Sequence, residues 1–428
     1  MPLKKVLFVL LIVLSNLIAF GQVVTLDETN VVQTRQRTFD RVWSLVNERH
    51  FDPTFGGVDW KKVGDSYKPM AMAANSEIEF HTVLNQMLGE LNQSHFTIYT
   101  KESESETNKC NEGIAGIDLK LIDNKAIISK VETNSPAETA GLKMGFEIVK
   151  IDGKPLSELL LPLETSFASR RLSETLKKTY RERTLNRAIC GKPETTLKLE
   201  FLNKQNDSKT VNLTRTAFNG EIARVAEGIP PFKLLFETKR LENNIGYISF
   251  NVWIPKQAER ARQAIRSMPD VKGIIIDLRG NAGGQGALVN NVGGALFNSR
   301  TSFGKTKTRF GEGNYWIIPQ NQIYEGKVVI LTNGGTGSTS EIFTAGMKET
   351  GRAKIIGERT AGAVLPATME RLPTGANFMY AVADYRSPNG TLLEGRGVEP
   401  DIEVKLTRPS LLEGRDLQLE AAIQEISK

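Results

Sequence analysis

The sequence is short of the residues that most site chemistry uses. It has 2 Cys, 3 His and 4 Trp in 428 residues. Two cysteines exclude a disulfide-dense fold and a zinc site built of several thiolates. The histidines are His50, His81 and His95, so an imidazole-dependent mechanism has few places to stand. Neither sign of charge dominates. The 55 basic and 49 acidic residues leave +6, which falls short of the basic stripe that holds nucleic acid. Beyond the first segment no run approaches the about 20 apolar residues a bilayer span needs, so no stable membrane insertion is expected. What is present, 40% hydrophobic and 24% charged residues, is the composition of a globular chain of two or three domains.

Residues 1–21 read as a signal peptide. Lys4 and Lys5 supply the positive start, Val6 to Leu14 the apolar run, and Ala19-Phe20-Gly21 the small-x-small cleavage site, giving a mature start near Gln22. An uncleaved anchor is the alternative. No cysteine lies near the cleavage site, which argues against a lipoprotein. The expectation is an exported protein, periplasmic or secreted. Cys110 and Cys190 would then meet an oxidising compartment, but their spacing does not show whether they bond.

Four segments follow from the patterning: 1–21, 22–105, 106–216 and 217–428. Residues 22–105 read as helical, with Phe39, Val42, Trp43, Leu45 and Val46 at one spacing and Phe80, Val83, Leu84, Met87 and Leu88 at another. Ser76 before Glu77 and Glu79 reads as an N-cap. Ser94-His95 follows the second helix, and Phe96 to Tyr99 alternates as a strand. KESESETNK at 101–109 reads as a charged linker. Residues 131–153, with Ser135-Pro136-Ala137, Ala140-Gly141-Leu142 and Asp152-Gly153, resemble the second half of a PDZ domain. That resemblance implies that Gly113, Ile114, Ala115, Gly116 and Ile117 form the loop that receives a peptide carboxylate, the peptide adding a strand to the sheet edge. A helical insertion carries Arg170, Arg171, Lys177, Lys178, Arg181, Arg183 and Arg187, read as a solvated face or, alternatively, a surface for anions.

From about 217 the chain alternates strands and helices. Gly273–Leu278 and Val328–Leu331 are near-continuous apolar strands, as expected where both faces of a parallel sheet are covered. The fold class is therefore α/β and multidomain: a helical N-terminal domain, a β-rich PDZ domain and an α/β core with a largely parallel sheet. Such folds place their sites at strand ends. Two glycine-rich loops occupy those ends, Asp277-Leu-Arg-Gly-Asn-Ala-Gly-Gly284 and Thr332-Asn-Gly-Gly-Thr-Gly-Ser-Thr-Ser-Glu341. Ser338 at the start of a helix fits a nucleophile elbow, with free amides beside the hydroxyl. Ser338-x-x-Glu341 equally fits a capping box. Without a following Gly-Lys-Ser/Thr, a phosphate loop is disfavoured. His50 and His81 lie where helices account for them. His95 lies just past a helix end, where it can reach a site.

Taken in order, Gly89-Glu-Leu-Asn-Gln-Ser-His95, the PDZ-like stretch, Asp277–Gly284, Gly337-Ser-Thr-Ser-Glu-Ile342, Gly351–Gly362 and Leu393-Glu-Gly-Arg-Gly-Val-Glu-Pro-Asp401 resemble the C-terminal processing (tail-specific) and tricorn-like family of serine peptidases. The processing branch carries a dyad lysine just after Gly362, where this chain has Ala363. The tricorn-like branch carries a Ser-His pair and a late glutamate, which match Ser94, His95 and Glu394. The resemblance thus implies a Ser338 nucleophile, a His95 general base and Ser94 and Glu394 as its supports. It implies Gly284 and Thr339 amides as the oxyanion hole, no metal or organic cofactor, and protein or peptide substrates, a free C-terminus being one handle. Glu358 and Glu399 lie near similar turns to Glu394. A binding protein that uses the same core and PDZ domain for a peptide or hydrophobic ligand is the alternative. A displaced lysine, Lys348 or Lys354, is disfavoured: Lys348 stands ten residues beyond Ser338, about 15 Å along a helix.

Overall fold

The computed structural model describes residues 28–167 and 172–428. The expected signal peptide at 1–21 and Arg170–Arg171 lie outside them. The N-terminal part is helical, with α1 (Glu28–Arg49), α2 (Trp60–Met72) and α3 (Glu77–Gly89). Ser76 caps α3 by accepting the Glu79 N–H, and Phe80, Leu84, Met87 and Leu88 bury the inner face. The strand β1 (Thr97–Tyr99) follows.

The expected linker is a helix instead. Residues Lys101–Glu112 form α4, which runs through the expected boundary at 105/106. It has no apolar stripe to announce it. Its start is fixed by a reciprocal cap between Thr100 and Ser103, with Glu102 and Glu104 in the first turn and Lys109 in the last, each at the end its charge favours.

The middle module has an antiparallel sheet of β2 (Ile117–Ile122), β3 (Lys125–Val131), β4 (Glu147–Ile151), β5 (Thr196–Leu202) and β6 (Ser208–Thr214), in that spatial order. The helices α5 (Leu156–Phe167) and α6 (Glu174–Ala188) come between β4 and β5. Ser135 caps the short helical turn Pro136–Thr139, as its sequence suggests. Cys110, near the end of α4, is disulfide-bonded to Cys190, just past α6. The bond closes a loop across a separation of 80 residues. Loop closure of that length is worth about 4 kcal/mol. Melting of the chain with and without reductant should therefore differ by several degrees, and coincident melts would refute a stabilising bond.

The third part contains β7 (Phe236–Leu241), β8 (Ile245–Phe250), α7 (Pro255–Arg266), β9 (Gly273–Asp277), β10 (Lys327–Thr332), α8 (Thr339–Glu349), β11 (Lys354–Gly357), β12 (Ala367–Arg371), β13 (Asn377–Ala381), β14 (Ile402–Glu403) and α9 (Leu417–Ser427). Its sheet runs β7-β8-β9-β10-β11-β14, antiparallel only at β7. Strand β9 is buried along its whole length. Ile274 and Ile276 join Ala261, Ile265 and Phe343 on one face, and Ile275 joins Ala422 and Ile426 on the other. That period-two alternation with helices on both faces explains the continuous apolar runs.

Residues 28–105 do not form a separate body. β1 pairs with β13, and β13 with β12, so the N-terminal part and the core share a small sheet. Phe80, Leu84 and Leu88 lie in one buried cluster with Leu365, Leu372, Phe378 and Tyr380. This pairing fixes where His95, two residues ahead of β1, is delivered.

Candidate active site

Ser338 is the residue before α8, and its backbone sits at φ 52°, ψ −121°. A non-glycine residue with that φ is strained, and such strain collects at functional turns. Three contacts hold it there. Its N–H donates to the Ala363 carbonyl at 2.8 Å and to Glu341 Oε2 at 3.1 Å. Gly283 is pressed against it so closely that a Cβ there would stand 2.5 Å from Ser338 Cβ. Ser338 and Glu341 form a reciprocal capping pair at the start of α8, the Ser338 side chain facing the Glu341 N–H.

Glu341 does more than cap α8. It is fully buried, and its carboxylate also accepts from Thr360 Oγ1 at 2.6 Å, Gly362 N–H at 2.7 Å and Ala363 N–H at 2.9 Å. Burial pushes its pKa up to about 7, against these donors. The capping reading of Ser338-x-x-Glu341 is thus half of the arrangement. The same glutamate fastens the strap 360–363 beside the serine.

The first glycine-rich loop lies against this turn. Thr339 Oγ1 donates to the Gly284 carbonyl at 2.8 Å, tying the loop to the helix start. Trp253 brackets Gly284 on the other side: its N–H donates to Gly283 O at 2.9 Å and its carbonyl accepts from Gln285 at 2.8 Å. Its indole N–H reaches Ser340 Oγ at 2.8 Å. Asn281 Oδ1 holds the Gly283 N–H, and Asn333 Oδ1 holds Gly280 and Gly335. Among the described residues, neither the Gly284 nor the Thr339 N–H has a protein acceptor, so both amides at this corner are free. Gly284 has φ +146°, and a Cβ there would stand 2.3 Å from the Trp253 carbonyl. Gly284→Ala should therefore move the loop, cost about 1–3 kcal/mol of stability and lower turnover. An alanine variant with wild-type melting and turnover would show that the corner is not held this way.

On the far side of the strap stands the second half of the site. Glu394 accepts from Ser94 N–H at 2.6 Å, from Ser94 Oγ at 3.0 Å and from Val364 N–H at 3.0 Å. Ser94 Oγ lies 2.6 Å from His95 Nδ1. The single hydroxyl proton of Ser94 is committed to Glu394, so Ser94 Oγ must accept from His95. That places the imidazole proton on Nδ1 and leaves Nε2 with its lone pair free. His95 adopts φ 62°, and desolvation lowers its pKa to about 4. Burial raises the Glu394 pKa from the ordinary carboxylate range.

The strap joins the halves. Ala363 O receives the Ser338 N–H, while the next N–H, from Val364, goes to Glu394. No hydrogen bond links His95 to Ser338 among the described residues. The rival carboxylates are placed elsewhere, Glu358 against Lys178 and Glu399 against Arg359. Lys348 is bound to the Glu399 carbonyl and pairs with Asp401. His50 is buried between the Asp52 carbonyl and Gln93, and His81 faces Thr374. Sequence reasoning missed Glu341 as a strap anchor, and Asn281, Asn333 and Trp253 as braces. The two asparagines had a signal, since asparagine beside glycine commonly bonds its own turn.

The five residues of the expected carboxylate loop lie differently from an open loop. Gly113–Ile114 form a short strand paired with Thr216–Ala217. Ala115 and Gly116 give their carbonyls to Ala137 and Glu132, and Ile117 begins β2.

Comparison with known proteins agrees with this architecture. Residues 244–404 match the peptidase family S41 profile, and residues 32–89 match the tricorn protease C1 domain. The carboxy-terminal processing protease CtpB of Bacillus subtilis is 23% identical over 347 residues, 79% of this chain and 65% of that protein. The carboxyl-terminal-processing protease of Synechocystis is 24% identical over 399 residues, 91% of this chain and 86% of that one. Among solved structures, mature CPAF complexed with lactacystin superposes with a TM-score of 0.65 at 14% identity, over 92% of this chain and 98% of that one. The third part thus carries a peptidase family S41 domain over residues 244–404, and the chain is similar to carboxyl-terminal processing proteases over most of its length.

Proposed function

We propose that the chain is an exported serine endopeptidase that cleaves proteins or peptides by a Ser338–His95 mechanism without a lysine. The observation that carries this reading is the Glu394–Ser94–His95 chain, which leaves Nε2 as an acceptor across the strap from a strained serine. In the substrate complex, Nε2 takes the Ser338 hydroxyl proton as Oγ attacks the scissile carbonyl. Catalytic hydrogen bonds are often long in the free enzyme and tighten on binding. The free Gly284 and Thr339 amides receive the oxyanion at the positive end of α8. The imidazolium, steadied by Ser94 and Glu394, then returns the proton to the leaving amine. Water hydrolyses the acyl-enzyme by the same base.

Ala363 sits where a dyad lysine would stand, and its carbonyl is committed to Ser338. Export rests on the sequence of residues 1–21 and agrees with the bond between the two cysteines. A peptide-capture role for the middle module requires its loop and sheet edge to be open.

A ligand-carrying protein is the competing reading. Against it, the cavity of about 390 Å³ between the middle module and the core is lined by charged groups such as Lys120, Lys178, Glu182, Glu358 and Arg359. An apolar ligand calls for an apolar pocket. Labelling with a serine-directed fluorophosphonate tests the proposal. One adduct at Ser338, absent from Ser338→Ala, is expected, and a folded chain that takes up no label would overturn it.

A further inference from the structure

Strand addition to a sheet edge needs a row of unpaired N–H and C=O groups. In the middle module β2 is one of two edge strands, β6 being the other, and α6 lies along β2. The Asn186 side-chain amide pairs with a single residue of β2 in both directions: Leu119 N–H donates to Oδ1 at 2.9 Å, and Nδ2 donates to Leu119 O at 2.9 Å. An amide making one donor and one acceptor contact is what the backbone of an added strand would offer there. One step along, the Leu121 N–H donates to Glu182 Oε1 at 3.0 Å, and Glu182 Oε2 pairs with Lys120 Nζ at 3.0 Å. Glu182 is buried, and Asn186 also donates to the Glu182 carbonyl, which fixes its rotamer.

The helix that carries these side chains is anchored at several points. Cys190, just past its end, is bonded to Cys110. Thr179 Oγ1 donates to Gly334 O at 2.7 Å, Lys178 pairs with Glu358, and Arg181 makes two bonds to Glu164. Gly113–Ile114 are paired as a strand, and Gly116 lies so close to Ser135 that a Cβ would stand 2.1 Å from its Cβ.

We propose that the β2 edge is sealed by its own helix, with Asn186 and Glu182 serving as an internal ligand in place of an added peptide strand. Substrate is then not selected here by its terminal carboxylate. The inference is independent of the catalytic assignment, because it concerns binding and is read on a catalytically silenced chain. The test uses Ser338→Ala with fluorescent random decapeptides made as free acids and as C-terminal amides. Fluorescence polarisation should give the two pools the same curve within about twofold, or no binding for either. Hydrogen exchange over 117–122 and 174–188 should be unchanged by excess peptide. A free-acid preference of about tenfold or more, with new protection in 117–122, would overturn the proposal. Asn186→Ala combined with Glu182→Ala should expose the edge and create that preference. A folded double variant that gains none would show that these side chains are not the seal. Should the double variant fail to fold, the exchange measurement on the Ser338→Ala chain decides alone.

Discussion

Ser338→Ala should abolish peptide hydrolysis and leave the fold as it is. The fold half of the prediction follows from what Ser338 Oγ does in the free protein. It faces the Glu341 N–H in a capping pair, and that N–H also donates to the Ser338 carbonyl at 2.8 Å, so removal of Oγ orphans no buried donor. Alanine keeps the Cβ that packs on Gly283 and the N–H that binds Ala363 and Glu341. The change in stability should stay at about 1 kcal/mol, the usual cost of replacing a serine N-cap by alanine. The strained φ of 52° is imposed by the backbone contacts and survives the change. The activity half follows from the elbow. With the nucleophile gone, the free amides of Gly284 and Thr339 retain only the residual help of an oxyanion site. A loss on the order of 10⁶-fold in kcat is the scale seen when a serine peptidase loses its nucleophile. Turnover of a mixed peptide substrate, read by mass spectrometry beside a thermal melt, checks both halves. A well-folded variant that keeps turnover within about tenfold of wild type would remove Ser338 from the chemistry.

The two glycine-rich loops were legible because their chemistry is local. Asp277–Gly284 and Thr332–Glu341 each follow a continuous apolar strand, and a strand-to-helix turn needs no distant partner to be recognised. The Ser94–His95 pair and Glu394 could be named only through family resemblance, since 300 residues separate Ser94 from Glu394. What brings them together is the pairing of β1 with β13, a contact that no spacing rule encodes. The same contact dissolved the expected N-terminal domain into a shared core, because apolar periodicity tells which face is buried but not against what. The linker misreading has another cause. Lys101–Glu112 is held by its caps and by the disulfide at Cys110, whereas patterning registers only apolar stripes. Resemblance picked Glu394, although Glu358 and Glu399 lie near similar turns. Lys178 and Arg359 claim the other two.

His95→Ala should lower kcat by about 10⁴- to 10⁶-fold, from the upper range for a positioned general base to the loss seen when a triad histidine is removed. Its pH behaviour separates a base from a structural residue. Desolvation holds the His95 pKa at about 4, below the ordinary 6.5. The imidazole is therefore neutral, and Nε2 available, down to that pH. The acid limb of kcat/KM for wild type should fall near pH 4 rather than 6.5, since that profile reports the free enzyme. Stability gives an independent readout with a definite sign. As pH falls through 6.5, the unfolded chain binds a proton at this histidine while the folded chain does not. The folded state accordingly loses stability between pH 6.5 and 4, and the loss is complete below 4. Glu341 runs the other way. Its pKa of about 7 means the folded chain keeps a proton that the unfolded one has released, so its contribution is lost as pH rises through 7. The two windows, 4 to 6.5 and 4.5 to 7, overlap, and a variant can isolate one of them. His95→Gln keeps a planar polar side chain beside Ser94 and removes the titration. The difference in denaturant midpoint between His95→Gln and wild type should change across pH 4 to 6.5 and stay flat above it. A flat difference throughout, together with a kcat/KM limb near 6.5, would mean that His95 is solvated and ordinary. The base would then have to be sought elsewhere.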